Sequence, residues 1–286
     1  MTMDDDPNRN IGELRGEYLD LLKRILTRTG FESSFSLLNP LAYPKRGRAR
    51  AAWHLQNLLN RYGYALVRNA APDLRANGRD WPSDAETMIG MKRLDNLQAC
   101  VESVLRDRVE GDLIETGVWR GGACILMRGV LKAYGVNDRV VWAADSFKGL
   151  PEPDASTYPA DQGDAHWSFS QLAVPLETVK ANFARYGLLD DQVRFLVGWF
   201  RDTLPSASID KLSVLRLDGD MYASTYEALE SLYPKLSVGG WAIVDDYHLP
   251  GCRQAVADYR TRVDILEPIE EIDGMGVFWR REHQAT

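Results

Sequence analysis

Apolar positions recur along this chain at two spacings, and the changes between them mark out its elements. Over residues 11–29, Leu14, Tyr18, Leu21, Leu22, Ile25 and Leu26 fall at helical spacing, and Gly30 supplies a stop. A second helix is expected over 48–61, carrying Trp53, Leu55, Leu58 and Leu59, after a loop marked by Asn39-Pro40 and Tyr43-Pro44. Residues 70–83, rich in proline, glycine and asparagine, read as a mobile connection. A strongly amphipathic helix follows over 91–108. Strand patterns then appear at 112–116, 139–144, 193–197, 213–218, 240–245, 265–270 and 275–280. Helical patterns at 121–134, 175–186, 199–204, 222–235 and 250–262 lie between them. Such alternation predicts an α/β fold with a mostly parallel sheet and helices on both faces. The last two strands sit only a short turn apart, at Asp273-Gly274, so the sheet should end in an antiparallel hairpin. The expected organisation is an N-terminal helical cap over 1–80 and a main domain over 81–286.

One segment breaks the rhythm. Residues 149–173 contain Pro151, Pro153, Pro159 and Gly163, with His166, Trp167 and Phe169 embedded. A connection this long at the carboxyl end of a strand reads as a lid over a ligand site.

Composition narrows the function. The chain has 286 residues, 45% of them hydrophobic, which is ample for a core. A net charge of −7 argues against a nucleic-acid footprint, and the basic run Lys45-Arg46-Gly47-Arg48-Ala49-Arg50 reads as a solvated loop or helix start. Cys100, Cys124 and Cys252 are odd in number and lack metal spacing, so they read as reduced, buried thiols. No apolar run reaches membrane-spanning length and residues 1–10 do not form a signal peptide, which points to the cytoplasm and to no membrane partner.

The chemistry is concentrated at strand ends. Leu217-Asp218-Gly219-Asp220 closes one apolar run and Val244-Asp245-Asp246-Tyr247 closes the next. Four carboxylates brought together repel one another and resist desolvation unless a cation or a proton compensates. A hard divalent ion such as Mg²⁺ accepts such oxygens. Upstream, Glu115-Thr116-Gly117-Val118-Trp119-Arg120-Gly121-Gly122 joins a strand to a helix through a glycine turn. The acid before the glycine suits a ligand bearing an ammonium group. The spacing is not G-x-G-x-x-G, which argues against a nicotinamide dehydrogenase. Asp145, closing Ala143-Ala144-Asp145-Ser146-Phe147, is placed to accept hydrogen bonds from ribose hydroxyls. Trp199 and Phe200, after Gly198, could line an adenine slot.

These blocks, with Thr87-Met88-Ile89-Gly90-Met91-Lys92-Arg93-Leu94 and Gly187-Leu188-Leu189-Asp190-Asp191-Gln192-Val193-Arg194-Phe195-Leu196, resemble the macrocin O-methyltransferase family over 81–281. That family methylates sugars on glycosylated natural products. The resemblance implies a Rossmann-like class I methyltransferase sheet binding S-adenosyl-L-methionine. It implies Mg²⁺ on Asp218, Asp245 and Asp246, with Asp220 as the general base. Met88, Glu115 and Gly117 would hold the methionine part of the cofactor, with Thr116 and Gly121 in the same turn. Asp145 and Ser146 would hold the ribose, and Gly198 with Trp199 the adenine. The acceptor would be a small-molecule glycoside with a vicinal diol, and the assembly a homodimer or a dimer of dimers. Catechol-type relatives carry a lysine where this chain has Met221, so the base is expected to be an acid. His248 is a second candidate for base or acceptor contact, and Trp81, His166 and Trp167 are candidates to close over an apolar aglycone. The alternatives are a catechol-type phenol O-methyltransferase and a non-catalytic cofactor-binding protein.

Overall fold

The computed structural model of the chain describes residues 7–31, 35–37, 47–69 and 72–283. Helix α1 covers Pro7–Thr27, followed by strand β1 (Phe35–Leu37), helix α2 (Arg48–Asn60) and strand β2 (Val67–Asn69). β1 and β2 pair antiparallel as a small separate sheet. Sequence reasoning had no strand here, because three residues are too few to display a period. The expected loop at 39–44 and the side chain of Trp53 lie outside the described residues.

Helix α3 (Pro72–Ala76) and helix α4 (Met91–Arg106) come next. The stretch between them, expected to be mobile, is packed. Arg75 is buried, pairs with Asp80 at 2.9 Å, and donates to the carbonyls of Met88 (2.6 Å) and Ile89 (2.9 Å). One buried guanidinium thus satisfies backbone that a glycine- and proline-rich segment cannot pair by itself. Helix α1 also packs on the main body. Lys23 pairs with Asp95, Arg28 with Glu86 at 3.0 Å, and Arg15 Nε donates to the Ala133 carbonyl.

The main body alternates as the sequence predicts: β3 (Asp112–Thr116), α5 (Gly122–Ala133), β4 (Val141–Asp145), α6 (Leu176–Arg185), β5 (Val193–Val197), α7 (Phe200–Thr203), β6 (Leu212–Leu217), α8 (Tyr222–Leu232), β7 (Leu236–Val244), α9 (Pro250–Arg262), β8 (Glu270–Glu271) and β9 (Val277–Arg280). The seven-stranded sheet has the order β5-β4-β3-β6-β7-β9-β8. Strands β3 to β7 are parallel, while β9 runs antiparallel to both β7 and β8. The edge hairpin is as expected, but the strand predicted over 265–270 shrinks to Glu270–Glu271. Pro268 has no N–H for a ladder, and the Ile265 N–H is spent on the Arg260 carbonyl.

Two apolar layers cover the sheet. Helices α1, α4, α5 and α6 pack on one face around Leu113, Ile125, Val130 and Phe183, while α8 and α9 cover the other around Ile114, Leu229, Tyr259 and Trp279. All six residues of β6 are buried, as a parallel strand covered on both sides must be. Each fully buried Leu, Ile or Val contributes roughly 2 kcal/mol relative to exposure. Cys100, Cys124 and Cys252 are free and buried in these layers, as expected.

Candidate active site

Backbone hydrogen bonds carry the sheet ladder one rung past the strand ends, and this aligns the motifs. The Gly198 N–H donates to the Asp145 carbonyl (2.9 Å), Gly117 to Ala144 (2.9 Å), Asp218 to Thr116 (2.8 Å) and Asp245 to Leu217 (2.9 Å). Gly198, Asp145, Gly117, Asp218 and Asp245 therefore stand in a row on the carboxyl edge. The chain leaves β3 toward β4 on one side, and β6 flanks β3 on the other, so a crevice opens between them. Gly117 sits in that crevice with φ +90°, and any Cβ there would collide with the Asp218 carbonyl oxygen. Only glycine lets these two strand ends approach so closely.

Two clefts meet at this edge. The first, about 930 Å³, is walled by Gly117, Asp145, Ser146, Gly198, Trp199, Phe200 and the 149–154 segment. The second, about 890 Å³, is walled by Trp81, Glu115, Asp245, Asp246, His166 and His248. Met88, Trp119, Leu172, Asp218 and Asp220 belong to both walls. Of the residues singled out in the sequence, Thr116, Gly121 and Trp167 line neither cleft. Thr116 is buried, Gly121 starts α5 against Val179, and Trp167 is exposed.

The acids are held by a buried scaffold that sequence reasoning missed. Arg216, inside β6, pairs with Glu115, with Asp218 at 2.7 Å and with Asp245 at 2.6 Å. Arg93, on α4, takes the other oxygen of Asp245 and pairs with Asp273 at 3.0 Å. A charged residue within an apolar strand pattern was the available signal for Arg216. Two arginines still face Glu115, Asp218, Asp220, Asp245, Asp246 and Asp273, so negative charge is left over. Burial first, and Asp220 and Asp218 next, push the Asp246 carboxyl well above the usual carboxylate range. Burial and Asp245 raise Asp218 as well. Asp218, Asp245 and Asp246 can offer oxygens within 4.8 Å of one another. A divalent cation held by these oxygens fits both the geometry and the residual charge.

Asp220 lies apart from that trio. Its φ of +57° is uncommon for a non-glycine residue, and its N–H donates to Asp246 Oδ2 at 3.2 Å. Desolvation, then Asp218, push its carboxyl up to about 7. That is the range in which a carboxylate works as a base near neutrality. His248 stands at the rim, where partial desolvation first and Arg93 next lower its pKa.

On the first cleft, Asp145 accepts from the N–H groups of Val118 (2.7 Å) and Phe147 (2.6 Å), which leaves lone pairs for a ligand. With the apolar walls of Leu150, Trp199, Phe200 and Met221, this slot fits a nucleoside. Glu115 is less free than its motif suggested. Besides Arg216, it accepts from the Cys124 N–H (3.2 Å) and Sγ (2.9 Å), and burial pushes its carboxyl up to about 7. The 149–173 segment is folded into 3₁₀ turns and latched. Buried Asp161 accepts from the N–H groups of Tyr222 (2.7 Å) and Ala223 (2.9 Å), capping α8 from outside, and Trp119 Nε1 donates to the Gln171 carbonyl.

Residues 15–281 match the TylF macrocin-O-methyltransferase family. The chain belongs to this family, and it is an O-methyltransferase. It is 52% identical over 271 residues to the 8-demethyl-8-(2,3-dimethoxy-alpha-L-rhamnosyl)-tetracenomycin-C 4'-O-methyltransferase of Streptomyces olivaceus, which covers 94% of each chain. It is 49% identical over 267 residues to the mycinamicin III 3''-O-methyltransferase of Micromonospora griseorubida, covering 92% of this chain and 96% of that one. The solved O-methyltransferase NovP is 47% identical and superposes with a TM-score of 0.80 over 94% of this chain and all of that one. The class I methyltransferase fold expected from the sequence is therefore established. No helix among the described residues is long and apolar enough to cross a membrane.

Proposed function

We propose that this methyltransferase uses S-adenosyl-L-methionine and a divalent cation, Mg²⁺ by the hardness of its oxygen ligands, to methylate a sugar hydroxyl of a glycosylated natural product. The observation that carries the reading is the shared wall. Asp218 and Asp220 face both the nucleoside-shaped cleft and the acid-lined cleft, so one cleft opens onto the other at the proposed base. The named acceptors of the two curated relatives agree with a glycoside.

In this reading Asp145 and Ser146 hold the ribose, Trp199 and Phe200 flank the adenine, and Met88, Glu115 and Gly117 border the methionine end. S-adenosyl-L-methionine, when bound, supplies an electrophilic methyl group on a sulfonium. Asp218, Asp245 and Asp246 hold the cation, which supplies Lewis acidity that lowers the pKa of a hydroxyl. A carboxylate oxygen of Asp220 takes the proton of the acceptor hydroxyl as the hydroxyl oxygen becomes the nucleophile. Arg216 and Arg93 keep Asp218 and Asp245 in one rotamer, so the acids need little rearrangement. The tetracenomycin relative acts on a sugar already methoxylated at positions 2 and 3. The oxygen beside the reacting hydroxyl can then be an ether, which widens the acceptor beyond a free vicinal diol.

The test is incubation of the purified chain with S-adenosyl-L-methionine, Mg²⁺ and a panel of rhamnosyl glycosides and catechols, read by product mass. A glycoside product that disappears in EDTA is expected. Products from catechols alone would overturn the sugar assignment.

A further inference from the structure

The second cleft has a wall that none of the strand-end motifs supplies. His166, on the 3₁₀ turn His166–Ser168, lines it together with Trp81 and Asp220. Its Nδ1 lies 2.8 Å from Asp164 Oδ2, and its backbone N–H donates to Asp164 Oδ1 at 2.7 Å. The ring is also held edgewise against Phe169, at 5.5 Å between centroids, and Phe169 in turn meets Trp81 at 6.3 Å. The side chains of His166 and Asp164 are 32% and 18% exposed, so the pair is shielded without being sealed from the cleft. An ionised carboxylate only accepts hydrogen bonds, so in the neutral ring Nδ1 carries the proton. Nε2 is then left with a lone pair. Among the groups that line this cleft, the other strong side-chain acceptors are the acids and His248, which stands at the rim.

We infer that His166, oriented by Asp164, accepts through Nε2 a hydrogen bond from a second hydroxyl of the methyl acceptor, distinct from the one that gives its proton to Asp220. This rests on the reading of the second cleft as a sugar site. Asp164 is a positioning residue that sets the tautomer and ring angle, and His166 makes the contact. Two hydroxyl contacts from different walls select which face and which edge of the sugar meet the base. A site built to accept from a hydroxyl discriminates strongly against an analogue that lacks one.

The experiment is calorimetric titration into the full chain saturated with S-adenosylhomocysteine and Mg²⁺. The probes are 8-demethyl-8-(α-L-rhamnosyl)-tetracenomycin C, whose sugar hydroxyls at 2 and 3 are free, and its 2,3-dimethoxy counterpart. His166→Ala is expected to weaken the free-hydroxyl probe tenfold or more and the dimethoxy probe less than twofold, with S-adenosylhomocysteine affinity unchanged. His166→Gln, which keeps an acceptor oxygen, should recover part of the loss. Nitrogen-15 NMR of the histidines, with the His166 signal assigned by its loss in His166→Ala, should report the Nδ1–H tautomer in wild type. Asp164→Ala should shift it toward Nε2–H. Equal effects of His166→Ala on both probes, or an Nε2–H tautomer in wild type, would overturn the inference. If wild type binds neither glycoside, the sugar reading fails on its own. Catechol and its monomethyl ether then serve as the hydroxyl pair for the same variants.

Discussion

Asp145, at the end of β4, and Asp218, Asp245 and Asp246, past the ends of β6 and β7, share one sheet edge yet their charge is met in different ways. Asp145 is a single carboxylate. Its two oxygens are each met by a backbone N–H from the adjoining loops, and among the described residues no cationic side chain is paired with it. The other three crowd together, and two buried arginines are not enough to balance them. Local backbone dipoles can hold one buried charge, whereas a cluster needs mobile positive charge from outside the chain. The first arrangement suits a neutral, hydroxyl-bearing ligand and the second a cation.

The comparison can be broken most severely at Asp220, which adjoins the cluster without belonging to it. Asp220→Asn should lower kcat by about 10²–10⁴-fold, the range for loss of a general base. Affinity for S-adenosylhomocysteine by calorimetry should stay within about twofold. An active variant would remove Asp220 from the chemistry. Next, Asp246→Asn should abolish Mg²⁺ binding measured without cofactor or acceptor, while Asp145→Asn should leave it intact and weaken S-adenosylhomocysteine about tenfold. If either variant impairs both ligands, the two regions are not separate sites.

A smaller effect sharpens the electrostatic side. Without the ion, burial and the neighbouring acids raise the carboxyls of Asp218 and Asp246 above the usual range and push Asp220 up to about 7. The ion binds the deprotonated acids, so binding must release protons, and Mg²⁺ affinity should rise as pH increases through the raised range of these carboxyls. Calorimetry in buffers of different ionisation enthalpy measures that release. Affinity independent of pH between about 5.5 and 7.5 would show that the acids are already ionised. Smallest is Asp161→Ala. Losing this external cap of α8 should cost about 1 kcal/mol, a fall of roughly 2–4 °C in Tm. Thermal unfolding followed by circular dichroism checks it.

Much of this site is legible in the sequence, because an acid or glycine directly after an apolar run marks a strand end. Asp145, Gly117, Asp218 and Asp245 were found that way, and the ladder bonds place all of them on the carboxyl edge. The edge hairpin followed equally from Asp273-Gly274, although Pro268 shortened its first strand. Arg216 was hidden because one charge within a buried strand pattern looks like noise until its partners are known. The stretch around Arg75 looked mobile because composition does not reveal that a guanidinium will turn inward.

The sequence by itself determined the order of helices and strands, the parallel sheet and the placing of the motifs at strand ends. These depend on periods of about 3.6 and 2 residues and on local turn chemistry, which neighbouring residues carry. Tertiary structure alone decided which strand ends stand side by side, and which charges meet there. Arg93 reaches Asp245 across 152 positions, and Arg216 reaches Glu115 across 101. The counter-charge for a buried acid is supplied by whatever the fold packs against it, and local spacing holds no record of that partner.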